Sequence, residues 1–269
     1  MNDAEPLLRL RGIGKNFGPV HALTDINLDI PAGQVTALIG DNGAGKSTLI
    51  KTIAGIWEPS HGEILWQGKP VNFHTPRDAT NAGIATVYQD LALADNLDIV
   101  QNMMLGHELL KYGLLDEISM EQTAKKTLAE LRVTTVRNIR QPVGSLSGGQ
   151  RQAVAVAKAV MLDAKLVIMD EPTAALGVTQ TELVLNLIER LKNTGHSVLL
   201  ISHNLNDVFQ VADRIAVLYL GTLAAVGPAA EFDRQSAVDL MTTGASTRLG
   251  NGTGAGSADA PGVSTGAEG

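Results

Sequence analysis

Three stretches of the chain carry side chains spaced for chemistry on a phosphorylated ligand. The first is Gly40-x-x-x-x-Gly45-Lys46-Ser47, which follows the apolar run Val35–Ile39 and opens a helical pattern. Gly40, Gly43 and Gly45 let the backbone curl tightly and turn its N–H groups inward. These donors and the positive end of the following helix form a nest for two phosphates, with Asn42 and Ala44 inside it. Lys46 reaches toward the β- and γ-phosphates, the Ser47 hydroxyl suits Mg²⁺, and Thr48 lies toward the α-phosphate. The loop reads as a nucleotide site and leaves open which kind of nucleotide-binding protein this is.

The second stretch is Leu166-Val-Ile-Met-Asp170-Glu171, four apolar residues ending in two carboxylates. A buried parallel strand of this kind delivers Asp170 to the carboxyl edge of a sheet, beside the phosphate loop. Asp170 suits a Mg²⁺ shell through water, and Glu171 can orient or deprotonate an attacking water. A carboxylate base beside a metal site implies hydrolysis. A further apolar run, 198–202, leads to His203. A histidine at a strand end is commonly a surface or capping residue, but at the edge of this same sheet it can stabilise charge on a γ-phosphoryl group.

The third stretch is Leu146-Ser147-Gly148-Gly149-Gln150, ahead of an Ala-rich apolar helix. Ser147 is a good N-cap, and the glycines expose N–H groups at a helix start, which makes a second anion site. The first loop already holds one phosphate position. One chain thus carries two half-sites, an arrangement that a dimer completes.

These residues need elements to place them. β-type runs at 26–30, 35–39, 63–67 and 84–88 alternate with turn residues, with one helix interrupting them near Lys46. From 91 to 162 the pattern is helical, with segments at 99–105, 120–131 and 147–162. Beyond Lys165, strands at 166–169 and 198–202 flank a helix at 181–191 whose apolar stripe is Leu183, Leu187, Ile188 and Leu191; a hairpin follows at 214–226. Alternation of this kind predicts an α/β core with parallel strands. Residues 244–269 hold 8 of the 28 glycines and few large aliphatics, so they are expected to form a disordered tail, either a plain flexible end or a tether. With no cysteine, the chain has no disulfide, thiolate metal site or cysteine nucleophile. A net charge of −7 argues against a broad nucleic-acid surface. No run is long enough to span a membrane, and residues 1–30 lack a signal-peptide core, so a cytoplasmic location is expected.

Taken in order, the segments 40–48, Gln89, 146–150, 166–171 and His203 resemble the nucleotide-binding domain of ATP-binding cassette (ABC) transporters over about residues 7–241. The resemblance implies a P-loop cassette at 1–243: a parallel-sheet α/β core, an antiparallel β subdomain and a helical subdomain near 91–162. It implies ATP with Mg²⁺, held between two copies arranged head to tail. Lys46, Ser47, Gln89, Asp170, Glu171 and His203 would act from one copy, and Ser147, Gly149 and Gln150 from the other. Ser47, Gln89 and Asp170 would serve the metal, with Gln89 sensing Mg²⁺–ATP and linking to the helical subdomain. Phe17 stands where the family places an adenine-stacking aromatic, although a core aromatic fits the local sequence equally well. The family usually has Asp where this chain has Gly177, at the seam between the copies.

Segments 15–23, 75–79, 83–89 and 171–177 are similar to the ATPases of bacterial monosaccharide importers of the ribose, xylose and fructose type. That branch implies a homodimer on the cytoplasmic face of the plasma membrane, bound to transmembrane permease subunits and served by an extracytoplasmic sugar-binding protein, with no nucleic-acid partner. The alternative is a soluble ABC-type switch acting on nucleic acid or ribosomes. Such relatives commonly carry two cassettes, long coiled insertions and basic surfaces. A P-loop kinase or GTPase leaves 146–150 without a role.

Overall fold

The computed structural model describes residues 5–133, 135–136 and 138–246. In chain order, the hairpin β1 (Leu8–Phe17) and β2 (Val20–Ile30) leads to β3 (Val35–Ile39) and α1 (Lys46–Ile53). β4 (His61–Trp66), β5 (Lys69–Val71), α2 (Pro76–Ala82) and β6 (Ile84–Val87) follow. A helical layer comprises α3 (Ile99–Met104), the small hairpin β7 (Leu110–Lys111) and β8 (Leu114–Leu115), α4 (Glu117–Glu130) and α5 (Gly148–Met161). The remainder alternates: β9 (Leu166–Asp170), α6 (Val178–Asn193), β10 (Ser197–Ile201), α7 (Leu205–Val211), β11 (Arg214–Tyr219), β12 (Thr222–Pro228) and α8 (Arg234–Thr243).

One sheet has the order β2-β1-β4-β5 and is antiparallel; the larger has the order β12-β11-β3-β10-β9-β6. In the larger sheet β11, β3, β10, β9 and β6 run parallel, and only β12 pairs antiparallel. The parallel strands are largely apolar because both faces are covered. Successive side chains point to opposite faces. Leu38, Leu166, Ile168, Leu199 and Ile201 therefore pack with α1 and the antiparallel sheet. Val35, Val167, Met169, Val198 and Leu200 pack with α5 and α6. The adjacency β3-β10-β9 brings together the loops that carry the phosphate-binding glycines, His203 and the two carboxylates.

Within the stretch read as helical from 91 to 162, α3, α4 and α5 fall on the three expected segments, 99–105, 120–131 and 147–162. Between them the described residues of 90–98 and 132–147 are mostly non-helical, and β7 and β8 meet through Tyr112 and Gly113 at φ 56° and 83°. Two successive positive φ values make a tight hairpin turn, which ends any helix. A second helix, α2, interrupts the N-terminal strands. Its start is fixed by a reciprocal Thr75–Asp78 capping box with Pro76 in its first turn. On α6 the expected stripe shifts: Leu183 is exposed, while Val184 and Leu185 are buried with Leu187, Ile188 and Leu191. The tail from residue 247 onward lies outside the described residues.

Candidate nucleotide-binding site

The loop after β3 has little room. A Cβ on Gly40 would come within 2.4 Å of the Leu218 carbonyl oxygen of β11. Gly45, the N-cap of α1 at φ 106°, would meet the Ala22 carbonyl oxygen at 2.9 Å. Both positions require glycine, one for close approach and one also for its left-handed backbone. The loop is braced from the β11–β12 turn, where the Gly221 N–H donates to the Ala44 oxygen at 2.9 Å. Lys46 Nζ donates to the carbonyls of Gly40 at 2.7 Å and Asp41 at 3.0 Å, which holds its cation over the loop.

The carboxylates enter from the neighbouring strand. Asp170 ends β9 opposite Ile201 of β10. Burial pushes its carboxyl above the ordinary range, Glu171 adds to the rise, and Lys46 and Lys51 oppose it. Glu171 has φ 49°, and its N–H donates to the Ile201 carbonyl at 2.9 Å. The left-handed turn swings its carboxylate out of line with β9. Glu171 Oε2 lies 2.9 Å from His203 Nδ1. Glu171 is the more buried partner, with 15% of its side chain exposed against 65% for His203.

These groups face one open cavity of about 760 Å³. It is lined by the loop residues Asn42, Gly43, Ala44, Gly45, Lys46, Ser47 and Thr48, and by Gln89, Asp170, Glu171 and His203. Loop N–H groups, a cation, a hydroxyl, two carboxylates and a histidine thus converge on a volume suited to a nucleotide.

Residues 23–174 match the family described as ABC transporter. The chain is 48% identical over 245 residues to the fructose import ATP-binding protein of Rhizobium meliloti, covering 88% of this chain and 94% of that protein. This chain belongs to the ABC transporter family. It is also 45% identical over 237 residues to a xylose/arabinose import ATP-binding protein of Sulfolobus acidocaldarius, again covering 88% and 94%. A dimeric, post-hydrolysis structure of the ATP-binding cassette MJ0796 bound to ADP and Pi aligns at TM-score 0.70 and 25% identity, covering 82% of this chain and 98% of that one.

Five residues expected at the cassette's nucleotide lie outside the cavity lining. Gly40 shapes the loop from behind. Phe17 is 40% exposed and packs edge-on against Trp57, with ring centroids 4.7 Å apart and Lys15 Nζ 5.2 Å from its own centroid. Its ring is turned to Trp57, and Val20, His21, Ala22 and Leu220 line the cavity instead. Sequence reasoning missed those four because the β1–β2 and β11–β12 turns bring them in from a distance. Ser147, Gly149 and Gln150 are also absent from the lining. Ser147 caps α5 in a reciprocal capping box with Gln150, whose side-chain amide also donates to the Thr135 carbonyl at 2.8 Å.

Proposed function

We propose that this cassette hydrolyses ATP to power import of a monosaccharide through a membrane permease. The observation that carries the reading is the convergence of Lys46, Ser47, Gln89, Asp170, Glu171 and His203 on one cavity. The relatives' names, a fructose importer and a xylose/arabinose importer, support the substrate class. They lend nothing to the nucleic-acid switch.

Lys46 neutralises the β- and γ-phosphates, and the N–H groups of residues 42–48 cradle them. The Glu171 carboxylate takes a proton from the attacking water, and His203, hydrogen-bonded to it, faces the γ-phosphoryl group. The donor set fits Mg²⁺. A hydroxyl, a carboxylate and an amide side chain on one cavity suit an ion that keeps waters and shares phosphate oxygens. Ser47, Asp170 and Gln89 would hold it, and its charge would relieve the raised carboxyl of Asp170. When bound, it supplies neutralisation of the charge on the transferring phosphoryl group.

Ser147, Gly149 and Gln150 point the reading toward a second copy. They form an N-capped helix start outside their own chain's cavity lining, and in a head-to-tail homodimer they would meet the partner's nucleotide. The dimeric MJ0796 cassette is consistent with that pairing. The working unit is the cassette, with a helical subdomain near 91–162. No helix among the described residues is long and apolar enough to cross a membrane. The cassette would act peripherally on the cytoplasmic face, docked to permease subunits that receive sugar from an extracytoplasmic binding protein.

Glu171→Gln tests the core of this. The variant should bind ATP, lose about 100-fold or more of turnover, and accumulate as an ATP-dependent dimer in light scattering. Unchanged turnover would remove Glu171 from its role.

A further inference from the structure

Glu171 stands on a loop whose backbone needs support from outside. Residues 171–176 leave β9 through two left-handed residues that are not glycine, Glu171 at φ 49° and Ala175 at φ 61°. Such backbone is unfavourable for a residue with a Cβ and persists where surrounding contacts enforce it. Within the loop the Ala174 N–H donates to the Glu171 carbonyl at 3.1 Å, and the Leu176 N–H donates to the Thr173 carbonyl at 3.2 Å. Those bonds close two successive turns, but they do not aim the loop at His203.

The support comes from the chain after β10. Three contacts join the two stretches in order. The Glu171 N–H donates to the Ile201 carbonyl at 2.9 Å, Glu171 Oε2 meets His203 Nδ1 at 2.9 Å, and Thr173 Oγ1 donates to Asp207 Oδ2 at 2.6 Å. The outermost contact is the shortest. Asp207 lies in the first turn of α7 and is 5% exposed. A hydroxyl that donates to a carboxylate makes a stronger bond than one between neutral groups. The chain between His203 and Asp207 is itself held. The Asn204 N–H donates to Ser202 Oγ at 3.0 Å, bracketing His203, and the Asn204 side chain caps α7 by accepting from the Asn206 N–H at 3.1 Å. Asp207 and His203 are thus carried on one short, internally bonded stretch. Neither Thr173 nor Asp207 lines the nucleotide cavity.

We infer that Thr173 and Asp207 are positioning residues for hydrolysis: their hydrogen bond fixes the loop after β9 against the start of α7 and so sets the Glu171 carboxylate relative to His203. The position matters because a misplacement of about 1 Å at a reacting group can cost about 100-fold in rate. The inference rests on the proposed function, in which Glu171 takes a proton from the attacking water beside His203. It assigns no contact with ATP to either residue. The phosphates are held elsewhere, by Lys46 and the loop N–H groups, so loss of the Thr173–Asp207 bond should slow hydrolysis and spare nucleotide binding.

The test uses the full chain, with ATP affinity, kcat and Tm measured for each variant. Thr173→Val keeps the shape of the side chain and removes the donor. Its dissociation constant for ATP should stay within about twofold of the parent while kcat falls about tenfold. Thr173→Ser restores the hydroxyl and should return kcat to within about threefold of the parent. Asp207→Asn keeps an acceptor oxygen and should lose little alone. Added to Thr173→Val it should cost nothing further, because the bond is already gone. That double variant also removes the charge left without its donor, so it carries the test if Thr173→Val alone melts at the assay temperature. In a Glu171→Gln background, Thr173→Val should leave the residual turnover unchanged. Parent-like kcat in Thr173→Val would overturn the inference. So would a serine variant as slow as the valine one, a matched loss of ATP affinity and kcat, or a further loss in the Glu171→Gln background. If Glu171→Gln alone turns over like the parent, the reading of Glu171 as the base fails first, and that failure appears without any change at Thr173 or Asp207.

Discussion

Asp170, Glu171 and His203 stand at or just beyond the ends of strands buried on both faces, and Lys46 opens α1 after the loop that leaves β3. Ser147 and Gln150 stand at the start of α5, where side-chain hydrogen bonds and ion pairs add to the packing of Val143, Leu146 and Ala153. The first region is fixed by packing, which deforms only at the expense of many contacts at once. The second adds to its packing polar contacts worth about 1 kcal/mol each, less where water reaches them. On the proposed function the two regions suit different tasks: the cavity would present a constant geometry to the phosphates, and the serine–glycine helix start would meet the nucleotide of a second copy.

The strongest way to break the comparison is to attack the packing. Leu200 on β10 is 1% exposed and lies between β3 and β9, beneath the α5–α6 face. Leu200→Ala should cost about 3 kcal/mol and lower Tm by about 6–12 °C in a thermal scan. ATP affinity should then fall only as the folded fraction falls. If affinity collapses while the chain is still folded, the strand ends are not held by packing alone.

Lys46→Ala makes the reverse case. The ammonium contacts only loop carbonyls, so its removal should leave Tm nearly unchanged. ATP affinity should fall about 10- to 100-fold in a nucleotide titration, the usual range for a lost charge-assisted bond. A large drop in Tm without nucleotide would show that Lys46 supports the loop's fold.

Asp170 tests whether the cavity holds strain that a cation relieves. Its folded-state pKa is raised above its ordinary value of 3.8, first by burial and then by Glu171. The native state therefore binds the proton more tightly than the unfolded chain does. The associated stability is full below the unfolded pKa and is lost as pH rises through the raised folded value. At neutral pH the ionised group burdens the fold. Asp170→Asn should melt above the parent at pH 7 without nucleotide or Mg²⁺, and the gap should close as pH falls toward ~4. Added Mg²⁺–ATP should stabilise the parent more than the variant. A gap that is constant with pH would place its origin elsewhere.

The same contrast explains what the sequence made legible. The strand 35–39, the glycine loop and the pair at 170–171 are continuous in the chain, and their pattern states both the element and the chemistry. The capping box at Thr75–Asp78 is equally local, a helix-start signal for α2 in Thr, Pro and Asp at that spacing, yet the sequence reading placed only one helix among these strands and passed over it. Val20, His21, Ala22 and Leu220 carry no such mark. They reach the cavity because β2 and β11 lie on either side of the loop. Phe17 shows the limit of a local reading: ring type alone did not reveal its T-shaped contact with Trp57, 40 positions on. The hydrogen bond from Thr173 to Asp207, 34 residues apart, is of the same kind.

The smallest expected effect concerns Gly177, where the family usually has Asp. Gly177 is the N-cap of α6, with φ −73° and ψ 163°, and no side chain accepts from the first turn. That backbone is already extended, as a capping residue requires, and a Cβ there meets nothing within 4 Å. Gly177→Asp should therefore fit without strain and offer a carboxylate to the N–H groups at the start of α6. Because glycine is itself a tolerable N-cap, the gain should be only a few tenths of a kcal/mol, or about 1 °C in Tm. Val178 beside it is 80% exposed, which places the substitution on open surface in the single chain. The informative measurement is the comparison of that small Tm change with the dependence of turnover on ATP concentration. A changed steepness with an almost unchanged Tm locates Gly177 at the seam between copies. A Tm gain with an identical ATP curve assigns it to the cap of α6 alone.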